Sequence, residues 1–190
     1  MSALSREELL AAGYAERDCS FSMKTANVWG LLAGLLLAAL IVALYYLCAD
    51  FAFLSATVYP DFIVLAVLLI ASVPLHELLH ALGWGAATLS FKGIRFGIAG
   101  LLNPYCHCSR PMRRAQYLFG VLLPLFLLGV VFALVGILTG FFVFLAVALF
   151  NAIAAGADIL VAFRALFTRC AFVLDHPERC GFLAYTKQDT

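Results

Sequence analysis

The 190-residue chain is 65% hydrophobic and 12% charged, with a net charge of +1 and a mean hydropathy of +1.03. Soluble domains are about 45–50% apolar and about 25% charged, so this composition excludes an ordinary soluble domain. The nearly neutral charge gives no bulk attraction to nucleic acid, and the six cysteines, without a secretory context, are expected to be reduced thiols.

The N-terminal segment, residues 1–27, mixes acidic and basic side chains. We do not expect it to be a signal peptide, because the apolar run after it is too long for one. Within it, Ser5 stands three residues before Glu8, directly ahead of an apolar pair. This spacing is that of a capping box and predicts a short surface helix.

Four apolar segments follow, at roughly 28–48, 61–88, 117–138 and 141–164. Each is near or above the ~20 residues that a helix needs to cross a bilayer. Only Thr139-Gly140 separates the last two, which predicts a tight helical hairpin. The fold class expected is therefore an all-α integral membrane protein, with residues 28–164 forming one domain of about four transmembrane helices.

The basic residues set the expected orientation. All twelve Lys and Arg fall before the first span, in the 89–116 loop, or at and after the end of the fourth span, and the 49–60 loop has none. Because positive residues concentrate on the cytoplasmic side, the 1–27 segment, the 89–116 loop and the 165–190 tail are predicted to be cytoplasmic.

The 89–116 loop contains a period-two pattern in which Ile94, Phe96 and Ile98 alternate with Arg95 and Gly97. This alternation is typical of a strand, and a turn at residues 99–100 would make a small β-hairpin at the membrane surface. A flexible basic loop is the alternative. If the 91–102 segment is a strand, its edge could pair with an extended substrate.

The second span contains His76-Glu77-Leu78-Leu79-His80. Histidines four residues apart lie on one face of a helix, and this geometry suits two ligands of one Zn²⁺. Glu77 beside them could take a proton from a water that the metal activates. Ionisable groups are costly inside a span and usually mark function, although a polar helix end would also explain them.

Zinc normally takes a third protein ligand. Apart from the glutamate of the motif, Asp158 is the only carboxylate well inside a predicted span. His76 and His80 lie 15 and 19 residues beyond Asp61, and Asp158 lies 17 beyond Phe141. At about 1.5 Å per residue, all three would lie roughly 22–29 Å into their spans, at matching depth near the cytoplasmic face. A carboxylate at the interface near Arg164 is the alternative for Asp158.

Asn151 lies seven residues before Asp158, on the same helical face. It could orient a substrate or a water near the metal. Alternatively it forms a hydrogen bond between helices, because Gly156 and the neighbouring alanines mark a close packing face.

A second cluster has the ligand types of a structural Cys₃His zinc site: Cys106, Cys108, His176 and Cys180. However, the Cys-x-Cys spacing is tighter than usual. The preferred interpretation is that the loop and the tail pack together over the site, with the cysteines as small buried groups.

These motifs resemble those of DUF3267, a family of zincin peptidases. The similarity covers roughly residues 60–183, in "HELLHALGW", in "NPYCHC" with the basic "RPMRRAQYL" after it, in "NAIAAGADILVA" and in "DHPERCGF". More distantly, the chain is similar to site-2-type intramembrane metalloproteases. The resemblance implies that His76, His80 and Asp158 hold Zn²⁺ and that Glu77 is the catalytic base. Asp158 lacks the glycine that follows the aspartate in site-2 enzymes.

The sequence thus predicts a multi-pass zinc metalloprotease of a prokaryotic cell membrane, with both termini cytoplasmic, that cleaves a peptide or membrane-protein substrate. Two other functions remain open, a membrane protein that binds or transports a divalent metal, and a catalytically idle adaptor. A glutamate next to the first ligand is the arrangement of a hydrolase, which argues against a metal-binding or transport protein. Because all the candidate catalytic groups are present, a catalytically idle adaptor is also disfavoured.

Overall fold

The computed structural model describes residues 5–48, 62–99 and 103–187. The predicted 49–60 loop, Asp61 and the hairpin turn at Gly100 lie outside these residues. The chain is mostly helical with two small sheets. Its elements are α1 (Arg6–Ala11), β1 (Tyr14–Asp18), α2 (Met23–Cys48), α3 (Phe62–Thr88), β2 (Ile94–Ala99), β3 (Asn103–Cys108), β4 (Met112–Arg113), α4 (Arg114–Thr139), α5 (Phe142–Ala154), α6 (Gly156–Phe167), β5 (Phe172–Asp175) and β6 (Phe182–Lys187).

Three helices, α2, α3 and α4, are each long and apolar enough to cross a membrane. The pair α5 and α6 passes the same test together but bends by 56° at Ala155, so the protein has three such helices, or four if the bent pair is one span. The predicted fourth span is therefore two helices rather than one straight helix. Its separation from α4 is confirmed, because Gly140 ends α4 with φ of 74°, a left-handed conformation that suits glycine.

The capping box predicted at Ser5 is present at the start of α1. The Ser5 hydroxyl accepts a hydrogen bond from the Glu8 backbone N–H, and the Glu8 carboxylate accepts one from the Ser5 N–H. These reciprocal bonds satisfy two backbone donors that a helix start would otherwise leave free.

The predicted β-hairpin is also confirmed. β2 and β3 are antiparallel, with Phe96 opposite Cys106 and Ile98 opposite Pro104. Both strands contact α3, β3 more extensively than β2, and residues 104–107 of β3 line the cavity described below. The strand that lines the cavity is therefore β3, which lies wholly outside the 91–102 segment that the sequence indicated as the substrate edge.

A four-stranded antiparallel sheet of order β1-β6-β5-β4 was not predicted, and the all-α description is incomplete without it. Arg17 of β1 pairs with Ala184 of β6, and Met112 of β4 pairs with Val173 of β5. The N-terminal segment, the end of the 89–116 loop and the C-terminal tail thus form one layer. The sequence predicted that the loop and the tail pack together, but not that the N-terminal segment joins them.

The helices meet at glycines. A Cβ atom added to Gly34 of α2 would lie 2.7 Å from the Ile153 Cα atom, and one added to Gly30 would lie 3.0 Å from the Ala157 nitrogen. The backbone of Gly156 packs directly on the Gly30 carbonyl oxygen. Such small residues let helix backbones approach closely in a membrane, as the close packing face around Gly156 predicted.

Candidate metal centre

α3 brings the two histidines of the motif together in a buried position. His76 and His80 are 7% and 6% exposed, and their ring centroids are 4.9 Å apart. Residues four apart on a helix share a face, and this face of α3 points into the protein rather than outward. The predicted helical pairing of the two imidazoles is therefore present.

Asp158 joins them from α6, where it lies in the first turn after the bend. Its Oδ2 atom is 3.1 Å from His76 Nε2 and 3.5 Å from His80 Nε2. Within residues 5–48, 62–99 and 103–187, these three form the one group of three or more potential ligands that could hold a metal ion.

The three residues fit a zinc ion. Tetrahedral Zn²⁺ with ligands at about 2.0–2.2 Å requires its donor atoms to be roughly 3.3–3.5 Å apart, close to the two separations between Asp158 and the histidines. Two neutral imidazoles and a carboxylate are also ligands that zinc commonly takes. The set leaves one tetrahedral position open, as catalytic rather than structural sites do.

The surroundings orient the histidines. His80 Nδ1 lies 2.9 Å from the Gly120 carbonyl oxygen, and because that oxygen only accepts, Nδ1 is the protonated nitrogen and Nε2 carries the lone pair. His76 Nδ1 is buried and has no hydrogen-bond partner within the described residues. The backbone of α4 thus fixes the His80 imidazole, whereas within the described residues no such hydrogen bond fixes His76.

Glu77 is half-buried and lines the same cavity, which has a volume of about 450 Å³. Its carboxylate lies close to the backbone N–H of Cys106 in β3. A carboxylate next to the candidate metal group, within a cavity that a substrate could enter, has the placement that a general base needs.

Aromatic rings stack against His80 on the side of the protein core. The His80 ring stacks on Trp84 at 5.6 Å, and Trp84 stacks on Tyr117 at 5.9 Å. The Trp84 indole N–H also donates to the Tyr117 carbonyl oxygen at 3.1 Å. These contacts tie the motif helix to α4, so the orientation of His80 depends on packing as well as on its hydrogen bond.

Asp175 lines the cavity and accepts hydrogen bonds from three residues, a role that the sequence did not indicate. Its carboxylate accepts hydrogen bonds from the Tyr117 hydroxyl at 3.0 Å, the His107 Nδ1 at 2.9 Å and the Cys108 N–H at 3.3 Å. It therefore joins the tail, the β-hairpin and α4. The "DHPERCGF" motif contained this residue, but nothing in its spacing indicated which partners it had.

Asn151 is buried, and its amide nitrogen donates to the Ser72 hydroxyl at 3.1 Å and to the Val147 carbonyl at 2.9 Å. It does not belong to the residues that line the cavity. The structure thus gives it the bond between helices that was the alternative to a substrate-orienting role.

The second cluster does not form a metal group in the described residues. His176 Nδ1 instead accepts the backbone N–H groups of Glu178 and Arg179, at 3.1 and 3.0 Å. Cys108 is buried in the main hydrophobic core, and Cys106 and Cys180 pack against it. Loop and tail do pack together over the site, as the preferred interpretation predicted.

Burial also sets the state of these thiols. It raises the pKa of Cys106 to about 12, with a further contribution from the Glu77 charge, and that of Cys180 to about 11. Both thiols are protonated at neutral pH. The cysteines around the cavity are therefore small, neutral packing groups.

The sequence model of one protein family, described as "Putative zincin peptidase" (DUF3267), matches residues 69–170. This range contains the three candidate ligands and Glu77. No curated protein and no solved structure matches the chain.

Proposed function

Because the chain belongs to the DUF3267 family, we propose that it is a membrane-embedded zinc metallopeptidase with Glu77 as its general base. The observation that carries the proposal is the convergence of His76 and His80 with Asp158, at 3.1 and 3.5 Å, beside Glu77 in one cavity. Two helices far apart in sequence supply these groups.

In this proposal His76, His80 and Asp158 hold the ion. When bound, Zn²⁺ supplies Lewis acidity toward a carbonyl oxygen and lowers the pKa of a water. Glu77 accepts the proton from the attacking water and passes it to the leaving amine. The Cys106 N–H lies beside the Glu77 carboxylate, and Asp175 holds the hairpin and the tail together around the substrate.

An extended peptide would bind along β3. Residues 104–107 line the cavity, and the Cys106 N–H lies close to Glu77. A peptide added at such an edge gains main-chain hydrogen bonds, which bind many sequences with similar strength. The substrate class that this supports is a peptide or membrane-protein segment in extended form.

We further propose that the metal centre faces the cytoplasm of a prokaryotic cell, with both termini on that side. The support is the positive-inside pattern, since the basic residues of the chain lie on the side of the two sheets. Reporter fusions after residue 48 and after residue 187 should give opposite locations, and equal locations would reject this orientation.

The test of the peptidase uses Glu77→Gln, with Glu178→Gln as the matched control, because Glu178 is a carboxylate of the same cavity that is not in the metal group. Membrane peptides from cells with each variant are compared by mass spectrometry. Glu77→Gln should remove specific cleavage products and keep the metal, whereas the control should keep both. Products that persist in Glu77→Gln would reject the proposal.

Metal content tests the ligands separately. The purified protein should hold about one Zn²⁺ per chain, and His80→Ala or Asp158→Ala should lose it. Full zinc content in Asp158→Ala would show that the third ligand is wrong. Zinc flux into liposomes by the intact protein, unaffected by Glu77→Gln, would instead support the transporter.

A further inference from the structure

A second concave site lies where α6 ends, apart from the metal cavity. It is an open groove of about 730 Å³, and none of its lining residues is shared with the metal cavity. The residues that line it are Arg17, Phe21, Leu160, Phe163, Arg164, Phe167, Thr168 and Arg169. We refer to it as the arginine groove.

All the charged side chains that line the arginine groove are positive. Arg17 comes from β1, Arg164 from α6 and Arg169 from the segment after α6, and none of the lining residues is acidic. The nearest carboxylates in sequence are engaged elsewhere. Glu16 pairs with an arginine of α1, and Asp18 accepts the Ser20 N–H at 2.7 Å. Strand alternation places both on the face of β1 opposite to Arg17.

Arg164 is held in position for a ligand. Its guanidinium lies 4.7 Å above the centre of the Phe21 ring, and one of its nitrogens donates to the Ser20 carbonyl oxygen at 3.3 Å. A guanidinium has five N–H donors, so most of them stay available for an anion. The planar guanidinium of an arginine matches the geometry of phosphate oxygens and can donate two parallel hydrogen bonds to them.

The end of α6 does not repel an anion, although helix C-termini carry negative partial charge. Arg114 donates to the carbonyl oxygens of Leu166 and Thr168, at 3.4 and 2.9 Å, and so neutralises this end. The local field in the groove is therefore that of its three arginines.

The remaining wall is apolar and continuous with the predicted fourth span. Phe163 and Phe167 line the groove and are 63% and 74% exposed. In a bilayer, these rings would lie where the hydrocarbon meets the head groups, with the arginines just beyond them. A ligand that fits needs a negative head group and an apolar chain.

We propose that the arginine groove binds the phosphate of an anionic glycerophospholipid, with an acyl chain along Phe163 and Phe167. Basic pockets beside membrane helices bind such head groups. A zwitterionic lipid fits less well, because its choline would bring a positive charge toward three arginines.

The test titrates the purified, delipidated full chain with phosphatidylglycerol or phosphatidylcholine and counts bound lipids by native mass spectrometry. The variant is Arg17→Gln with Arg169→Gln, which spares the packed Arg164. The matched control is Lys92→Gln with Arg95→Gln, an equal charge loss at two exposed positions outside the groove.

The wild type should prefer phosphatidylglycerol, the groove variant should lose about thirtyfold in affinity for it, and the control should keep it. Equal binding of the two lipids by the wild type, or equal losses in variant and control, would overturn the proposal. A second measurement needs no variant: phosphatidylglycerol should raise the wild-type melting temperature more than phosphatidylcholine, and equal shifts would also overturn it.

Discussion

The glycine contacts between α2 and the bent helix pair lead to a quantitative prediction for Gly34→Ala. An added Cβ atom would lie 2.7 Å from the Cα and carbonyl oxygen of Ile153 and 2.9 Å from the Ala152 oxygen. All three are backbone atoms, so no side-chain rotation can relieve the overlap. The helices themselves must move apart.

The size of this movement follows from the contact distances. Ordinary van der Waals contact begins at 3.4 Å, so α2 and α5 must separate by about 0.7 Å. Overpacking of this kind costs about 1–3 kcal/mol, and the higher helix propensity of alanine returns at most about 1 kcal/mol. Because the overlap is with three backbone atoms, we expect the upper end of this cost, so about 3 kcal/mol less about 1 kcal/mol leaves a net loss of about 2 kcal/mol. This corresponds to a melting temperature lower by roughly 4–8 °C.

The same movement reaches the metal centre, because Asp158 follows Ile153 by five residues across the bend. Metal–ligand distances tolerate deviations of only about 0.2 Å. We therefore expect Gly34→Ala to weaken zinc binding by about tenfold, as mutations that displace ligands indirectly do. The substitution changes no residue of the site itself.

Thermal unfolding in detergent and zinc titration against a competing chelator provide the assay. Gly129→Ala is the matched control, since its Cβ atom would meet the tip of the flexible Leu125 side chain at 3.1 Å rather than a backbone. If Gly34→Ala melted and bound zinc like the wild type, or if the control weakened zinc binding equally, the coupling of helix packing to the site would be wrong.

Four further predictions concern other parts of the chain. Tyr117→Phe removes a donor to the Asp175 carboxylate and should lower the free energy of unfolding by about 1–3 kcal/mol, and an unchanged denaturation midpoint would contradict this. Ser5→Ala removes the cap of α1 at a cost of about 0.5–2 kcal/mol, which hydrogen exchange should detect in α1, whereas Ser5→Asp should restore protection. Removal of zinc by a chelator should lower the melting temperature of the wild type but not of Asp158→Ala, because only a bound ligand stabilises the folded state. Burial raises the pKa of Cys106 to about 12, so its thiolate is scarce below that pH. Alkylation of Cys106, read by peptide mapping, should be slow at pH 8, accelerate as the pH rises and become fast in denaturant, and fast labelling of Cys106 in the folded protein would refute this assignment.

The parts of the fold that the sequence could predict are those with local signals. Long apolar runs, the Ser5 capping box and the alternation around Phe96 each depend on neighbouring residues, and the structure contains the corresponding elements. The histidine pair is local as well, since helical periodicity alone places His76 above His80. Such features need no knowledge of the rest of the chain.

The four-stranded sheet could not be predicted in this way. β1 pairs with β6, so Tyr14 lies opposite Lys187, and β4 has only two residues. Short strands with mixed polarity give weak patterns, and their stability comes from partners distant in sequence. The hydrogen bonds that Asp175 accepts from three residues cannot be predicted from the sequence for the same reason, because their donors lie far away along the chain.

The sequence did not predict the bend at Ala155, because no proline precedes it. Asp158 nevertheless lies beside His76 and His80, as the residue count along the two apolar segments predicted, since the bend comes only three residues before Asp158. The bend also has an electrostatic consequence. In a straight span Asp158 would lie in mid-helix, where a carboxylate gains nothing from the helix dipole. After the bend it lies in the first turn of α6, where the positive end of the dipole stabilises a carboxylate. The break between α5 and α6 thus makes an ionised carboxylate less costly at the position beside the two histidines of α3.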